Sequence, residues 1–357
     1  VDGETYESAG MRLKGNSSLR GLGGGGVGGP GPGGDSVDTS QPEDLPWLIK
    51  LDKFIENQNH QGVSDFVVRS NNSETALNEA VALELLELAG LASQDAIYAS
   101  FSVNDSTPTL RLVIEHPDDT WMTENFDPGG ALYKAEASGG YQFRGSDPAA
   151  YDDVFDQEAG ADNADLSPLI EFLDFANNSD DDTFNEEIAD RLDIDEFATY
   201  LAMQELIGNF DDIDGPGNNS YLYYDSATGM FTVVAWDHNL AFGGFGGGGV
   251  PGGGRGFPGG GEGDGLGGQD EDGLGELGRG GSGPGGNVLV ERFLANDEWN
   301  ALYEQKLADL TEQLIDSGTA QQVLQGWVDL LSSEATDLVS ESTVEQEADQ
   351  IAGHLSD

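Results

Sequence analysis

Gly208-Asn209-Phe210-Asp211-Asp212-Ile213-Asp214-Gly215-Pro216-Gly217-Asn218-Asn219 leads into Tyr221–Tyr224, a turn at Ser226-Ala227-Thr228-Gly229, and Phe231–Trp236 followed by Asp237-His238-Asn239. Two apolar runs around such a turn predict an antiparallel hairpin. A hairpin returns its last residues to the edge where its first began, so Asn219 and Asp237 become neighbours beside an acidic loop. Oxygen donors gathered this way suit Mg2+, which takes few protein ligands and completes its shell with phosphate and water. Singly, Asp, Asn and Gly are ordinary turn residues; their order around the hairpin is what points to a site. A calcium loop fits less well, because Phe210 and Tyr221 stand where that loop needs oxygen donors.

Upstream of this region the chain reads as strands, a helix and another hairpin. Met11-Arg12-Leu13-Lys14 and Trp47-Leu48-Ile49-Lys50-Leu51-Asp52 alternate as strands do; in the second, Trp47, Ile49 and Leu51 share one face, and Lys50 and Asp52 the other. A helix spans about residues 74–89, capped by Asn72 or Ser73 and stopped by Gly90. Leu77, Val81, Leu85 and Leu88 form its main stripe. Glu79 lies at helical spacing from Leu83 and Leu86 on a second, partly buried side, where a carboxylate requires a cation. Residues 97–103 and 109–115 flank Asn104-Asp105-Ser106-Thr107-Pro108 as a hairpin. Helices dominate from Leu166: one over 169–176, one opened by Asp193 with Glu196 three residues on, and more from Val288 to near the end. Strands first and helices later predict an α+β fold in two lobes. Glycine-rich tracts at 21–34 and from 243 to about 286 read as flexible insertions that need not pack.

The chain has 357 residues, enough for a substantial core, and carries 67 acidic against 14 basic residues, a formal charge of -53. A nucleic-acid ligand is excluded, because a polyanion is held by Lys and Arg that displace its counterions. The apolar fraction of 37% and the periodic segments argue for folding in spite of the charge. A folded protein with this much self-repulsion needs screening, and at molar salt the Debye length shrinks to about 3 Å, so a halophilic setting follows. The absence of Cys excludes disulfides, thiol catalysis and cysteine metal sites. Val1–Gly10 has neither the basic nor the apolar region of a signal peptide, and no segment reaches the length of a membrane span.

Nine of the 14 basic residues (Arg12, Lys14, Arg20, Lys50, Lys53, Arg69, Arg111, Lys134 and Arg144) fall in the first 144 positions. In a chain nearly stripped of positive charge, these are candidates for anion binding or buried pairing. Lys50 on a strand and Glu79 on the following helix match the Lys–Glu pair with which protein kinases hold nucleotide phosphates, and the loop, hairpin and Asp237 match their catalytic and metal-binding segments. A structural salt bridge is the plainer reading of Lys50 and Glu79 alone.

Arg12-Leu13-Lys14-Gly15-Asn16-Ser17-Ser18, Ile49-Lys50-Leu51-Asp52-Lys53-Phe54, the Asn78-Glu79 helix, Gly130-Ala131-Leu132-Tyr133-Lys134, Ile207–Asp211, Asn219–Tyr223, Trp236–Gly243 and the ending Leu289–Leu294 together resemble the CotH family of spore-coat kinases. The resemblance spans nearly the whole chain. It implies a protein-kinase-like fold with a β-rich N-lobe over 1–118, and a mainly helical C-lobe over 119–357 that holds the glycine-rich insertion at about 243–287. It also implies ATP with Mg2+ or Mn2+ as cofactors, a Ser/Thr protein substrate among secreted or surface proteins, and an extracellular or cell-surface location. Carried over residue by residue, Lys14, Asn16 and Ser17 cover the phosphates, Lys50 contacts them, and Glu79 positions Lys50. Lys134 lies near the nucleotide. Asn219, Asp237 and Asn239 hold metal, and Asp211 orients or deprotonates the acceptor hydroxyl, with Asp212 and Asp214 as alternatives. His238 falls outside this set, facing solvent or packing locally. Many relatives have Asp where this chain has Asn239, which removes one charge from the metal site. A nucleotide-binding pseudokinase and a non-catalytic surface module are the alternative readings.

Overall fold

Residues 1–14, 40–127, 129–136, 140–160, 165–215, 218–243 and 286–356 are described in the computed structural model of the protein. The glycine tracts, Asn16 and Ser17 lie outside these residues.

Two antiparallel sheets and, among the described residues, nine α-helices make an α+β architecture. The first sheet holds β1 (Gly10–Leu13), β2 (Trp47–Lys50), β3 (Asp65–Val68), β4 (Ala96–Phe101) and β5 (Thr109–Glu115) in the order β1-β2-β3-β5-β4. The predicted β4–β5 hairpin pairs Ala96 with Ile114 and Phe101 with Thr109. Its turn places Asn104 and Asp105 at φ 52° and 61°, a conformation these two residue types tolerate best after glycine. In β2 it is Leu48, with no exposure, that faces the core, while Trp47 and Ile49 are half-buried. Lys50 therefore shares a face with the core-packed Leu48.

Helix α1 (Leu77–Leu88) buries Leu77, Val81, Leu83, Leu85 and Leu86, and leaves Leu88 exposed. It starts later than local capping signals suggest, from Ala76 at φ 54°. The Ser73 hydroxyl accepts from the Ala76 amide at 2.9 Å, and the Thr75 hydroxyl from the Leu77 amide at 3.1 Å. A remote carboxylate does the rest: Glu347 accepts from the Glu74 and Thr75 amides and from the Ser73 and Thr75 hydroxyls. At the other end Gly90, at φ 82°, stops the helix as its sequence position predicts.

The chain continues through α2 (Asp119–Asn125), β6 (Ala131–Ala135), β7 (Phe155–Ala159), α3 (Ser167–Asn178), α4 (Asp181–Glu187) and α5 (Ile194–Leu206). Asp193 caps α5, accepting from the Glu196 amide at 2.9 Å. After the hairpin β8 (Ser220–Tyr224) and β9 (Phe231–Ala235) come α6 (Val288–Leu294), α7 (Asp297–Leu310), α8 (Thr319–Glu334) and α9 (Glu341–His354). The second sheet runs β7-β6-β8-β9, so the segment after residue 119 carries four strands beside its helices. Strands β3, β6 and β7 are not among those read from periodicity. Helix α5 packs against α7 and β9, and α1 against α8 and α9. One hydrophobic core joins both sheets and these helices, with Leu48, Leu112, Leu132, Phe197, Leu222 and Phe293 among its members. None of the described helices is long and apolar enough to cross a membrane.

Candidate functional site

The hairpin register opposes Ser220 to Ala235, which brings Asn219 and the Trp236-Asp237 step to one edge of the second sheet, as the sequence predicts. Asn219 Nδ2 donates to Asp211 Oδ2 at 3.1 Å, so the acidic loop closes onto the same edge. That closure depends on Gly215, where an added Cβ would lie 2.5 Å from the Asp211 Cα. The loop's other carboxylates are committed to holding it. Buried Asp212 accepts from the Asp214 amide at 3.0 Å, and Asp214 accepts from the Asn287 amide at 2.7 Å, which ties the loop to the start of α6. Asp211, half-buried beside the exposed Phe210, is the loop carboxylate nearest the donor edge.

Behind the loop, Gln204 of α5 accepts from Asn209 Nδ2 at 2.8 Å and approaches His238 Nε2 at 3.4 Å. His238 does not face solvent; it is buried, and burial, with the Arg69 charge, lowers its pKa to about 4. It packs with Gln204 under the site because Asp237, at φ 62°, turns the chain as it leaves β9.

Asp237 does not stand alone. Arg69 Nη2 donates to Asp237 Oδ1, and Arg69 Nε donates to Glu79 Oε2 at 2.9 Å. Burial works against the Arg69 charge, but the Asp237 and Glu79 carboxylates more than reverse this and hold the guanidinium fully protonated. Glu79, at 1% exposure, thus receives the cation its position demands, but from Arg69 and not from Lys50. Lys50 lies directly across from Asp65 in the β2–β3 register, and its Nζ meets Asp65 Oδ2 at 2.5 Å. The nearest strand carboxylate captures it, while Arg69, just past the end of β3, reaches α1 and Asp237 together.

Lys14 continues from β1 and brings its Nζ to 2.5 Å from His116 Nε2 and 5.3 Å from the centre of the Trp236 ring. Arg69 lies over the same ring at 5.7 Å. Burial lowers the Lys14 pKa to about 7; the charge of Glu158 opposes this, and those of Lys134, Arg12 and Arg69 act with it. Lys134 pairs with Glu136 at 2.5 Å. His116 joins the two ends of the cluster, its Nδ1 3.8 Å from Asp65 Oδ2 and its Nε2 3.9 Å from Glu158 Oε2.

Burial, then the charges of Lys14 and Lys50, lower the His116 pKa to about 2, so the ring is neutral. The unfolded chain would protonate it near pH 6.5. Below that pH the unfolded state binds the extra proton, and stability falls as pH drops from about 6.5 towards 2. His116→Gln should therefore flatten the dependence of melting temperature on pH between about 6.5 and 4, as thermal unfolding in constant salt would measure.

Asp237, Asn219 and Asp211 are hard oxygen donors of the kind Mg2+ or Mn2+ takes. Among the described residues no three His, Asp or Glu side chains gather to hold a metal unaided. Asn239 ties this edge to α1, its carbonyl accepting from Asn78 Nδ2 at 2.8 Å. A separate hollow of about 550 Å3 opens at the turn end of the β8–β9 hairpin, but Glu124, Asp127, Asp193 and Asp225 line it without a single cation, which suits no phosphate ligand.

Arg69, His116, Glu158 and Tyr221 join this region in places that the sequence does not assign to them. Only Arg69 carried a signal, as one of the few surviving cations placed just before a helix with a buried acid. A search of curated proteins returns no significant match. The match to the CotH kinase protein family covers residues 12–353, nearly the full length, and the chain belongs to that family.

Proposed function

We propose that the protein is an ATP- and divalent-metal-dependent phosphotransferase of the protein-kinase type, acting on Ser or Thr hydroxyls of secreted or surface proteins in high salt. One observation carries this reading. In a chain of net charge -53, Lys14 and Arg69 converge over Trp236 with Lys134 close by, at the edge that also bears Asp237 and the Asp211–Asn219 pair. A cationic space beside hard oxygen donors is the complement of a metal-bound triphosphate. We assign residues 1–118 to a nucleotide-binding N-lobe and 119–357 to a C-lobe, with the site between the two sheets.

In this scheme Lys14 and Lys134 contact the phosphates, with Asn16 and Ser17 covering them. Lys50 acts from beside Asp65, while Arg69 takes the kinase lysine's place opposite Glu79. Asp237, Asn219 and Asn239 hold the metal, which when bound neutralises charge on the phosphate oxygens. The acceptor hydroxyl oxygen attacks the γ-phosphorus in line, the bond to the β–γ bridging oxygen breaks, and ADP leaves with that electron pair. Asp211 orients the hydroxyl and takes its proton. Positioning and charge neutralisation supply most of the acceleration.

The test is transfer of γ-labelled phosphate in molar salt to secreted proteins, with Mg2+, Mn2+ or chelator. Label on Ser or Thr that requires metal is expected. Bound ATP with no transfer would favour a pseudokinase, and absence of nucleotide affinity a surface module.

A further inference from the structure

Buried tyrosines normally find a partner for the hydroxyl, and this protein follows the rule repeatedly. Tyr133 donates to the Asp165 carbonyl, Tyr151 to the Gly145 carbonyl and Tyr223 to the Asp127 carbonyl. Tyr141 pairs with the Ser220 hydroxyl, and Tyr200 accepts from the Ile213 amide. Two hydroxyls, those of Tyr98 and Tyr221, have no hydrogen-bond partner among the described residues; Tyr98 packs edge-on against Trp327 of α8, and of the two only Tyr221 has a fully buried side chain.

Its placement gives the exception a purpose. Tyr221 lies directly across from Lys134 in the β6–β8 register, so the two share a face of the second sheet. Its ring meets Trp236 edge-on at 5.4 Å, and the other contacts of Trp236 include Lys14 and Arg69. The Tyr221 hydroxyl is thus an O–H donor beside the residues of the candidate site, with no acceptor among the described residues.

We propose that the Tyr221 hydroxyl donates a hydrogen bond to a non-bridging oxygen of the nucleotide's phosphate chain, making Tyr221 a phosphate-positioning residue beside Trp236. This assignment rests on the nucleotide reading of the site. It extends that reading from the cations, which attract any anion, to a neutral donor that selects where a phosphate oxygen sits. A hydrogen bond to a charged oxygen in a buried site corresponds to roughly tenfold or more in affinity.

Tyr221→Phe keeps the ring and its contact with Trp236, and removes only the unpartnered hydroxyl. Wild type and Y221F, each as the full chain in molar salt, are titrated calorimetrically with MgATP and with adenosine, and their melting temperatures are compared without ligand. The expected result is an MgATP dissociation constant raised about tenfold or more, unchanged adenosine affinity, and an unliganded melting temperature that is unchanged or higher, since no protein hydrogen bond is lost. Equal MgATP affinity in the two proteins would overturn the assignment while leaving the nucleotide reading in place. So would a parallel loss of adenosine affinity, or a lower unliganded melting temperature, which would reveal a protein partner for the hydroxyl. Failure of wild type to bind MgATP would overturn both.

Discussion

Asp237→Asn is expected to cut phosphoryl transfer by roughly 10²- to 10³-fold or more while leaving the protein folded. The magnitude follows from what a metal ligand supplies to the transition state, several kcal/mol of charge stabilisation at about 1.4 kcal/mol per tenfold in rate. Asparagine fills the same space and can still accept from Arg69 Nη2, while Arg69 keeps its 2.9 Å bond to Glu79, so the buried guanidinium is not left bare. The loss should therefore appear in kcat with little change in melting temperature. Near-normal turnover would remove Asp237 from the chemistry and leave it as a structural partner of Arg69.

The second large effect concerns stability. Glu79→Ala should lower unfolding free energy by about 3–5 kcal/mol, the cost of breaking a buried pair and stranding one charge. Both partners are largely inside the protein, Glu79 at 1% exposure and the Arg69 side chain at 11%, so molar salt screens the pair little. A double-mutant cycle read by urea unfolding separates the two candidate partners. Arg69→Met with Glu79→Ala should show strong coupling, whereas Lys50→Met with Glu79→Ala should be additive, because Lys50 is bound to Asp65. The same cycle run on nucleotide affinity would reveal whether Arg69 reports the position of α1 to the phosphates. Strong coupling through Lys50 would contradict the pairing.

What could be read from sequence in this site is what local patterns encode. The β8–β9 hairpin announces itself by two apolar runs and a Ser226–Gly229 turn, and hairpin geometry alone then places Asn219 near Asp237. The helix bearing Glu79 is equally plain from its leucines and Gly90, and so is the need of a buried carboxylate for a cation. The identity of that cation is not local. Choosing Arg69 over Lys50 depends on Asp65 lying opposite Lys50, and β3 is a four-residue strand without alternation that periodicity does not reveal. The start of α1 is obscured for a similar reason, since the turn leading into it, over Ser73–Thr75, is held by Glu347, more than 270 residues away in sequence. His116 and His238 carry no pattern at all; their burial comes from contacts with segments distant in sequence, those of Lys14 and Gln204. Tyr221 resembles any strand tyrosine until the missing partner of its hydroxyl is seen beside five that have one.

The account stands most directly on whether a metal–nucleotide complex occupies the space around Trp236. A triphosphate approaching a protein of net charge -53 is repelled unless metal neutralises part of it and Lys14, Arg69 and Lys134 outweigh the background. High salt screens that background, while contacts inside the cleft persist. Isothermal calorimetry in molar salt, with melting temperature measured alongside, should therefore find ATP binding with Mg2+ or Mn2+ that neither nucleotide nor metal alone reproduces. At a hundredfold excess of ligand over its dissociation constant, the protein should gain roughly 2.7 kcal/mol of stability. A demonstrably folded protein that binds no nucleotide with either metal would contradict the kinase and pseudokinase readings alike, and would leave the surface-module reading in their place.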